Sequence, residues 1–356
     1  VSVPSAEFGV YIHVPFCRHR CDYCAFATWT DRDHVIDDYL AALRHDIGRA
    51  AAEGMPAATS VFVGGGTPTR VPAEGLASVL ATVPLVEGAE VTVECNPDDV
   101  TGEMMSVYRD AGVTRVSIGV QSMVQHVLGI LGRTHDPSNV VRAIDAVRAA
   151  GIPTFNLDLI YGSVGESVDD WAATVRAALE LDPPHISAYG LTVEAGTPLA
   201  DDPARTPDDD VQAEMYEVVD DLLTAAGLAN YEVSNWARPG HECRHNRLYW
   251  AQGDYRGFGS AAHSHRAGRR WWNVRTPERY VKLALAGEST EAAGEDLDAD
   301  TRRVEGLQLR LRTREGIPAA DLDTTDLDGL VEVHGDNVVL TRAGRLLANE
   351  VAMRLT

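Results

Sequence analysis

Short apolar runs alternate with longer amphipathic stretches through the first two thirds of the chain. The runs fall at 9–16, 60–64, 90–95, 115–120, 154–161 and 185–192. Several are close to continuously apolar, the pattern of parallel strands covered on both faces. Between them, Ala-, Leu- and Arg-rich segments such as 35–52, 139–150 and 168–181 repeat their apolar residues at helical spacing. Gly112, Gly151 and Pro183-Pro184 end helices just ahead of new strands. Repeated βα units of this kind build a parallel sheet with right-handed crossovers. About six of them are too few to close an eight-stranded barrel.

The pattern changes further along. Residues 200–210 are rich in Asp and Pro and predict an exposed loop before a helix over 211–226. From 231 to 273 the chain turns aromatic, with His, Arg and several glycines. From about residue 295 the amphipathic stretches 301–311 and 343–355 flank 331–340, where His334-Gly-Asp-Asn337 predicts a hairpin turn. Helices with a small hairpin resemble a winged-helix unit. The expected organisation is 1–230 for the βα part, 231–295 for an aromatic and His-rich extension, and 296–356 for a small C-terminal α+β domain.

Composition narrows the function. The formal net charge of −22 on 356 residues argues against nucleic-acid binding, which needs clustered Lys and Arg, and against electrostatic adhesion to anionic lipid. No apolar run approaches the roughly 18 residues of a membrane span. Lys282 is the only lysine and lies in no phosphate-loop or Schiff-base motif. The start of the chain carries nothing that reads as a targeting peptide.

The chemistry is concentrated in Tyr11-Ile-His-Val-Pro-Phe-Cys17, continued by Arg-His-Arg-Cys21-Asp-Tyr-Cys24. Structural zinc takes four ligands in closed, paired spacing, but Cys95 and Cys243 stand alone and far away. A disulfide framework does not suit so few cysteines without a secretory leader. Thiolates do hold iron–sulfur clusters, and three from one short loop cap three irons of a cubane and leave the fourth open. The Cys-x3-Cys-x2-Cys spacing resembles that of the radical S-adenosylmethionine (SAM) enzymes. The resemblance implies a [4Fe–4S] cluster on Cys17, Cys21 and Cys24, with SAM chelated to the open iron and cleaved to a 5′-deoxyadenosyl radical. It also implies an open (β/α)6 partial barrel with its chemistry at the strand C-termini.

Gly64-Gly-Gly-Thr-Pro68 follows the second strand. A glycine triplet alone is most often a tight turn. Behind the cysteine loop it matches the family motif whose backbone meets the methionyl amino group, which places Gly65, Gly66 and Thr67 at SAM. The same resemblance carries to Glu94, Gln121, Arg133 and Asp158 at later strand ends, to Tyr11 at the start of the first strand, and to Tyr23 in the cysteine loop, with its ring beside the adenine. For Glu94 a strand-end ion pair is the plainer alternative. An arginine suits a carboxylate because its fork donates two parallel hydrogen bonds.

These landmarks, with Gly-Val-Gln-Ser122 and Asn156-Leu-Asp-Leu-Ile-Tyr-Gly162, resemble the oxygen-independent coproporphyrinogen oxidase group over nearly the whole chain. That group holds both true oxidases, which decarboxylate two propionates of coproporphyrinogen III, and haem chaperones. Three features favour a chaperone over a coproporphyrinogen dehydrogenase. The oxidases have a further cysteine two residues past the third ligand, where this chain has Phe26. They carry a longer segment ahead of the loop than the sixteen residues before Cys17. His245, Asn246, Tyr249 and Trp250 match a His-Asn-x-x-Tyr-Trp motif associated with haem binding in the chaperones. Imidazole is a common axial ligand of haem iron, and aromatic rings stack on flat apolar faces. The alternative for His245 is a hydrogen-bonded structural histidine under an aromatic cluster, with Cys243, His241, His263 and His265 as rival ligands. The expected partners are haem, acceptor haemoproteins and a second copy of the chain. The expected location is cytoplasmic, with peripheral attachment to the membrane's inner face through a partner or surface patch.

Overall fold

The computed structural model describes residues 7–133 and 135–355. The start of the chain, where no targeting peptide is expected, falls at residues 1–6, outside the described residues. The six strands predicted from the pattern form β1 (Phe8–Val14), β2 (Ala58–Gly65), β3 (Leu85–Cys95), β4 (Arg115–Gln121), β5 (Thr154–Tyr161) and β6 (His185–Gly190). They run parallel and pair in chain order. Helices α1 (Ile36–Ala52), α2 (Ala73–Leu80), α3 (Gly102–Asp110), α4 (Gln125–Ile130), α5 (Pro137–Ala150), α6 (Val168–Glu180) and α7 (Asp209–Ala225) connect and follow them.

The strands alternate instead of being apolar on both faces. Val10, Ile12, Val14, Val61, Val63, Val91, Val93, Val116, Ile118, Leu157 and Leu159 pack into the main core with the helices. Each such buried side chain contributes roughly 1.5–3 kcal/mol relative to exposure. Successive strand residues point to opposite faces, so the intervening Tyr11, His13, Ser117, Asn156 and Asp158 turn into the barrel. There Asn156 Nδ2 donates to Ser117 Oγ at 2.7 Å and to Ser187 Oγ at 2.8 Å, joining β4, β5 and β6. A polar interior must satisfy its own hydrogen bonds, and this one does so across strands.

Beyond α7 the chain lengthens the sheet from both edges. β7 (Ala229–Glu232) and β8 (Asn235–Ala237) add antiparallel strands outside β6. α8 (Arg244–Trp250) then leads to β9 (Asp254–Phe258), which returns parallel beside β1. β10 (His263–Arg266), β11 (Arg269–Asn273), α9 (Pro277–Leu285) and β12 (Glu291–Asp296) complete a 12-stranded sheet. α9 packs on α1, where Tyr280 donates to the buried Asp46 at 3.0 Å.

The C-terminal part comprises α10 (Ala299–Arg310), β13 (Ile317–Pro318), β14 (Val331–His334), β15 (Asn337–Leu340), α11 (Arg342–Leu346) and α12 (Ala348–Ala352). Its three strands form a separate antiparallel sheet over a core of Leu307, Leu311, Ile317, Val338 and Val351. The predicted hairpin forms, whereas the amphipathic stretch at the end divides into two short helices. This part docks through Asp220 of α7, which accepts from Arg342 Nε at 2.6 Å and Arg345 Nη2 at 3.0 Å. Among the described residues no helix is long and apolar enough to cross a membrane.

Candidate functional site

A cavity of about 610 Å³ opens at the C-terminal ends of the six parallel strands. Cys17, Cys21, Tyr23, Cys24, Gly65, Gly66, Thr67, Glu94, Gln121, Arg133 and Asp158 all line it. Residues spread over 140 positions of sequence thus meet because each follows or ends a neighbouring strand of one sheet.

The cysteine loop is tied down from several sides. At its base Cys17 N donates to Trp29 O at 3.0 Å and Trp29 N to Pro15 O at 2.8 Å. Thr67 Oγ1, from the loop after β2, donates to Cys17 Sγ at 3.6 Å. Arg133 donates from Nη1 to Cys21 Sγ at 3.6 Å and from Nη2 to the Gly119 carbonyl at 3.0 Å. Asp22, inside the loop, accepts from Arg205 at 2.8 Å. All five cysteines are free. Burial, reinforced by the neighbouring Cys24 and Cys21, pushes the Cys17 thiol up to about 11, against hydrogen bonding from Thr67 and Thr28. A thiol that ligates a metal is deprotonated, so Cys17 would give up that proton in holding a cluster. Cys95 is buried with Sγ facing the Val93 carbonyl, and Cys243 lies under the barrel against Glu90.

The glycine triplet is required by close approach. A Cβ on Gly66 would sit 2.8 Å from Val14 O, 2.9 Å from Phe16 O and 3.0 Å from Cys17 Sγ. Gly65 has φ +107, and its missing side chain makes room for the His13 ring. Its N–H donates to Glu94 Oε2 at 3.2 Å. The triplet therefore presents bare backbone beside the loop.

The Glu94 and Asp158 carboxyls face this cavity, and among the described residues neither has a cation among its hydrogen-bond partners. Burial pushes Glu94 up to about 8, with the nearby Asp158 adding to the effect and the Gly65 amide opposing it. Asp158 is likewise held above its ordinary value by burial, against hydrogen bonds from Ser117, Ser187 and Asn156. Such a wall favours a positively charged ligand group, whose arrival relieves the cost of burying ionised carboxylates. The amino and sulfonium groups of SAM fit that requirement, and Arg133 and the exposed backbone fit its carboxylate. At the end of β4, Gln121 adopts φ 65 beside a register shift. A non-glycine residue in that region marks a conformation held by its surroundings, often at a functional site.

Tyr11 does not line the cavity. Its ring stacks on Phe62 at 6.5 Å and its hydroxyl bonds His13 Nδ1 at 3.0 Å, so it holds β1 from inside the barrel instead of fronting a ligand. The haem motif is also elsewhere. His245, Asn246, Tyr249 and Trp250 lie on α8 at the opposite, N-terminal end of the strands, and none lines the cavity. His245 is fully buried, with both ring nitrogens bonded to protein hydroxyls, so this conformation offers haem neither a free imidazole nitrogen nor space.

Several cavity residues escaped the sequence reading. Ser117 donates to Asp158 at 2.7 Å, and Tyr189 also lines the wall. Their signal was present, since polar residues at alternate positions of otherwise apolar strands mark an inward face. His135, buried at the cavity wall with Nε2 unpartnered, follows Arg133 in sequence without any such period.

The model of the Radical SAM superfamily matches residues 11–178. The chain is 45% identical over 374 residues to the protein named haem chaperone HemW from Mycobacterium tuberculosis, covering 99% of this chain and 96% of that one. It is 34% identical to the protein of the same name from Escherichia coli K12, with 96% of each covered. Among solved structures it resembles the E. coli coproporphyrinogen III oxidase HemN, described as a radical SAM enzyme, with a TM-score of 0.84 at 22% identity, covering 99% of this chain and 90% of that one. With its cysteine loop, glycine triplet and charged cavity wall gathered at one end of a six-stranded parallel barrel, the chain belongs to the radical SAM superfamily and, within it, to the HemW family.

Proposed function

We propose that this chain binds haem and passes it to acceptor haemoproteins, on a scaffold that also holds a [4Fe–4S] cluster and SAM. The observation that carries the reading is the 45% identity to a named haem chaperone over 99% of the chain. The likeness to the oxidase, at 22% identity, speaks for the fold alone. Phe26 supports the same side of the choice. Where the oxidases have their further cysteine, this chain sets an aromatic ring, 64% exposed, at the cavity wall.

In this reading Cys17, Cys21 and Cys24 would hold the cluster, with SAM bound beside it in the same cavity. When bound, cluster and SAM together supply one-electron chemistry. The backbone of Gly65 and Gly66 admits the methionyl end, Glu94 and Asp158 attract its positive charge, and Arg133 orients its carboxylate by paired hydrogen bonds. Gln121 and Tyr23 border the nucleoside. A homodimer and peripheral attachment to the membrane's inner face belong to the same proposal.

The test is anaerobic reconstitution followed by two separate assays. Haem titration followed by absorbance is expected to show binding. Incubation with coproporphyrinogen III, SAM and a reductant is expected to give no vinyl product. Robust decarboxylation would overturn the chaperone reading in favour of the oxidase.

A further inference from the structure

The residues from His241 to Trp250 contact β1 to β5 of the six-stranded barrel and reach β6 through Tyr231. On β1, a Cβ at Gly9 would fall 2.5 Å from Leu248 and 3.0 Å from His245 Cε1, so α8 lies directly on the strand's backbone. On β2, Ser60 Oγ is 2.9 Å from His245 Nδ1. On β3, the Glu90 carboxylate caps α8 by accepting from Arg244 N at 3.1 Å and His245 N at 3.2 Å. Arg115, which opens β4, donates to the His241 carbonyl at 2.8 Å. Thr154, which opens β5, is 2.8 Å from His241 Nδ1. His185, which opens β6, bonds the Tyr231 hydroxyl at 2.8 Å, and that oxygen accepts from Cys243 N at 3.3 Å.

His245 stands at the centre of this arrangement. It is 0% exposed. Its ring stacks on Phe62 at 5.6 Å, and Nε2 is 2.9 Å from the Tyr249 hydroxyl. Tyr249 in turn packs edge-on against Tyr255 at 4.6 Å. An axial ligand needs a free ring nitrogen and open space for a macrocycle, and His245 has neither. Cys243, the neighbouring rival, is closed in the same way, with Sγ 3.5 Å from Glu90.

We infer that the segment His241–Trp250 is a plug that closes the floor of the barrel and gathers its strands, and that His245 makes no contact with bound haem. The second half of this inference rests on the proposed haem binding, whereas the first stands without it.

His245→Phe keeps the ring stacked on Phe62 but leaves the Ser60 and Tyr249 hydroxyls unpaired, the kind of loss that destabilises a fold. The expected result is a Tm lower by several degrees, with the Soret band and haem affinity of the full-length chain unchanged. A shifted Soret band, or a tenfold loss of haem affinity at unchanged Tm, would overturn the inference. Should the variant fail to fold, hydrogen exchange on the wild-type chain decides. The amides of residues 244–249 are expected among the slowest to exchange, with the same rates with and without haem. Fast exchange there, or rates altered by haem, would overturn the plug. If the chain takes up no haem, the proposed function fails, and slow exchange over the same amides still supports the plug.

Discussion

His13 donates from Nε2 to the Ala27 carbonyl at 2.9 Å, while its Nδ1 accepts from the Tyr11 hydroxyl at 3.0 Å. A carbonyl can only accept, so the bond fixes the tautomer of a neutral ring. One imidazole thereby fastens the cysteine loop to β1, and Gly65 of β2 gives it room. Three elements that carry the candidate cofactor site meet at this ring.

His13→Phe is accordingly expected to loosen the cysteine loop without unfolding the barrel. Iron and sulfide per chain after anaerobic reconstitution should fall, and visible absorption should bleach faster in air. A pH signature accompanies this. Burial lowers His13 from 6.5 to about 4, so the stability it contributes is present above pH 6.5 and lost as pH falls through about 4. Denaturant midpoints of the metal-free chain between those values should depend less steeply on pH in the variant, by up to one proton. An unchanged acid limb together with full cluster content would remove this role from His13.

Gly66→Val tests the close approach of the triplet to the loop. The new side chain would collide with the Val14 and Phe16 carbonyls and with Cys17 Sγ, two of them backbone atoms that cannot swing aside. The expected outcome is loss of the cluster itself and not merely of SAM binding, seen as a flat visible spectrum and low iron content. A variant with full iron and weak SAM binding would mean that the triplet faces only the ligand.

Much of the barrel was legible because its strands are short runs rich in aliphatic residues, although those residues pack on the helix-facing side alone and not on both faces. The antiparallel extension beyond β9 was not. β10, β11 and β12 read His-Ser-His-Arg, Arg-Arg-Trp-Trp-Asn and Glu-Ala-Ala-Gly-Glu-Asp, largely polar sequences with no apolar period, and the outermost strand, β12, is wholly exposed. The cysteine spacing, and the family resemblance carried to the strand ends, pointed to eleven residues that the fold brings to one cavity. The haem motif shows the limit of that approach. A six-residue match identified His245 as special, but its partners Ser60 and Glu90 come from strands some 150 to 190 positions away, and only the fold reveals that they enclose it.

Glu94→Gln separates the carboxyl's charge from its shape. Burial first, then Asp158, raises Glu94 from 4.5 to about 8. The stability its neutral form contributes is therefore fully present below pH 4.5 and lost as pH rises through about 8. Glutamine stays neutral and can still accept from the Gly65 amide. Chemical denaturation of the metal-free chain should show the variant gaining on wild type across that window, with a slope difference of up to roughly 1.4 kcal/mol per pH unit. SAM affinity of the reconstituted chain should fall, since the attracting charge is gone. Parallel pH profiles for the two chains would show that Glu94 is ionised throughout and paired with a cation.

Arg133 links two requirements, and two substitutions tell them apart. Its fork reaches Cys21 Sγ with one nitrogen and the Gly119 carbonyl with the other, so it props the loop while lining the cavity. Lysine keeps the charge but cannot span both acceptors, because its ammonium is a single point on a flexible stem. Arg133→Ala removes the charge as well. Hydrogen bonds to charged groups are worth roughly 1.5–3 kcal/mol, so the alanine variant should bind SAM about tenfold to a hundredfold more weakly by calorimetry. The lysine variant should fall between it and wild type, recovering the long-range attraction to a carboxylate without the paired geometry. Cluster content, measured alongside, shows whether the prop to Cys21 matters independently. If both variants keep their iron and lose affinity in that order, Arg133 acts on SAM directly. Equal SAM affinity in all three chains would place the methionyl carboxylate elsewhere in the cavity.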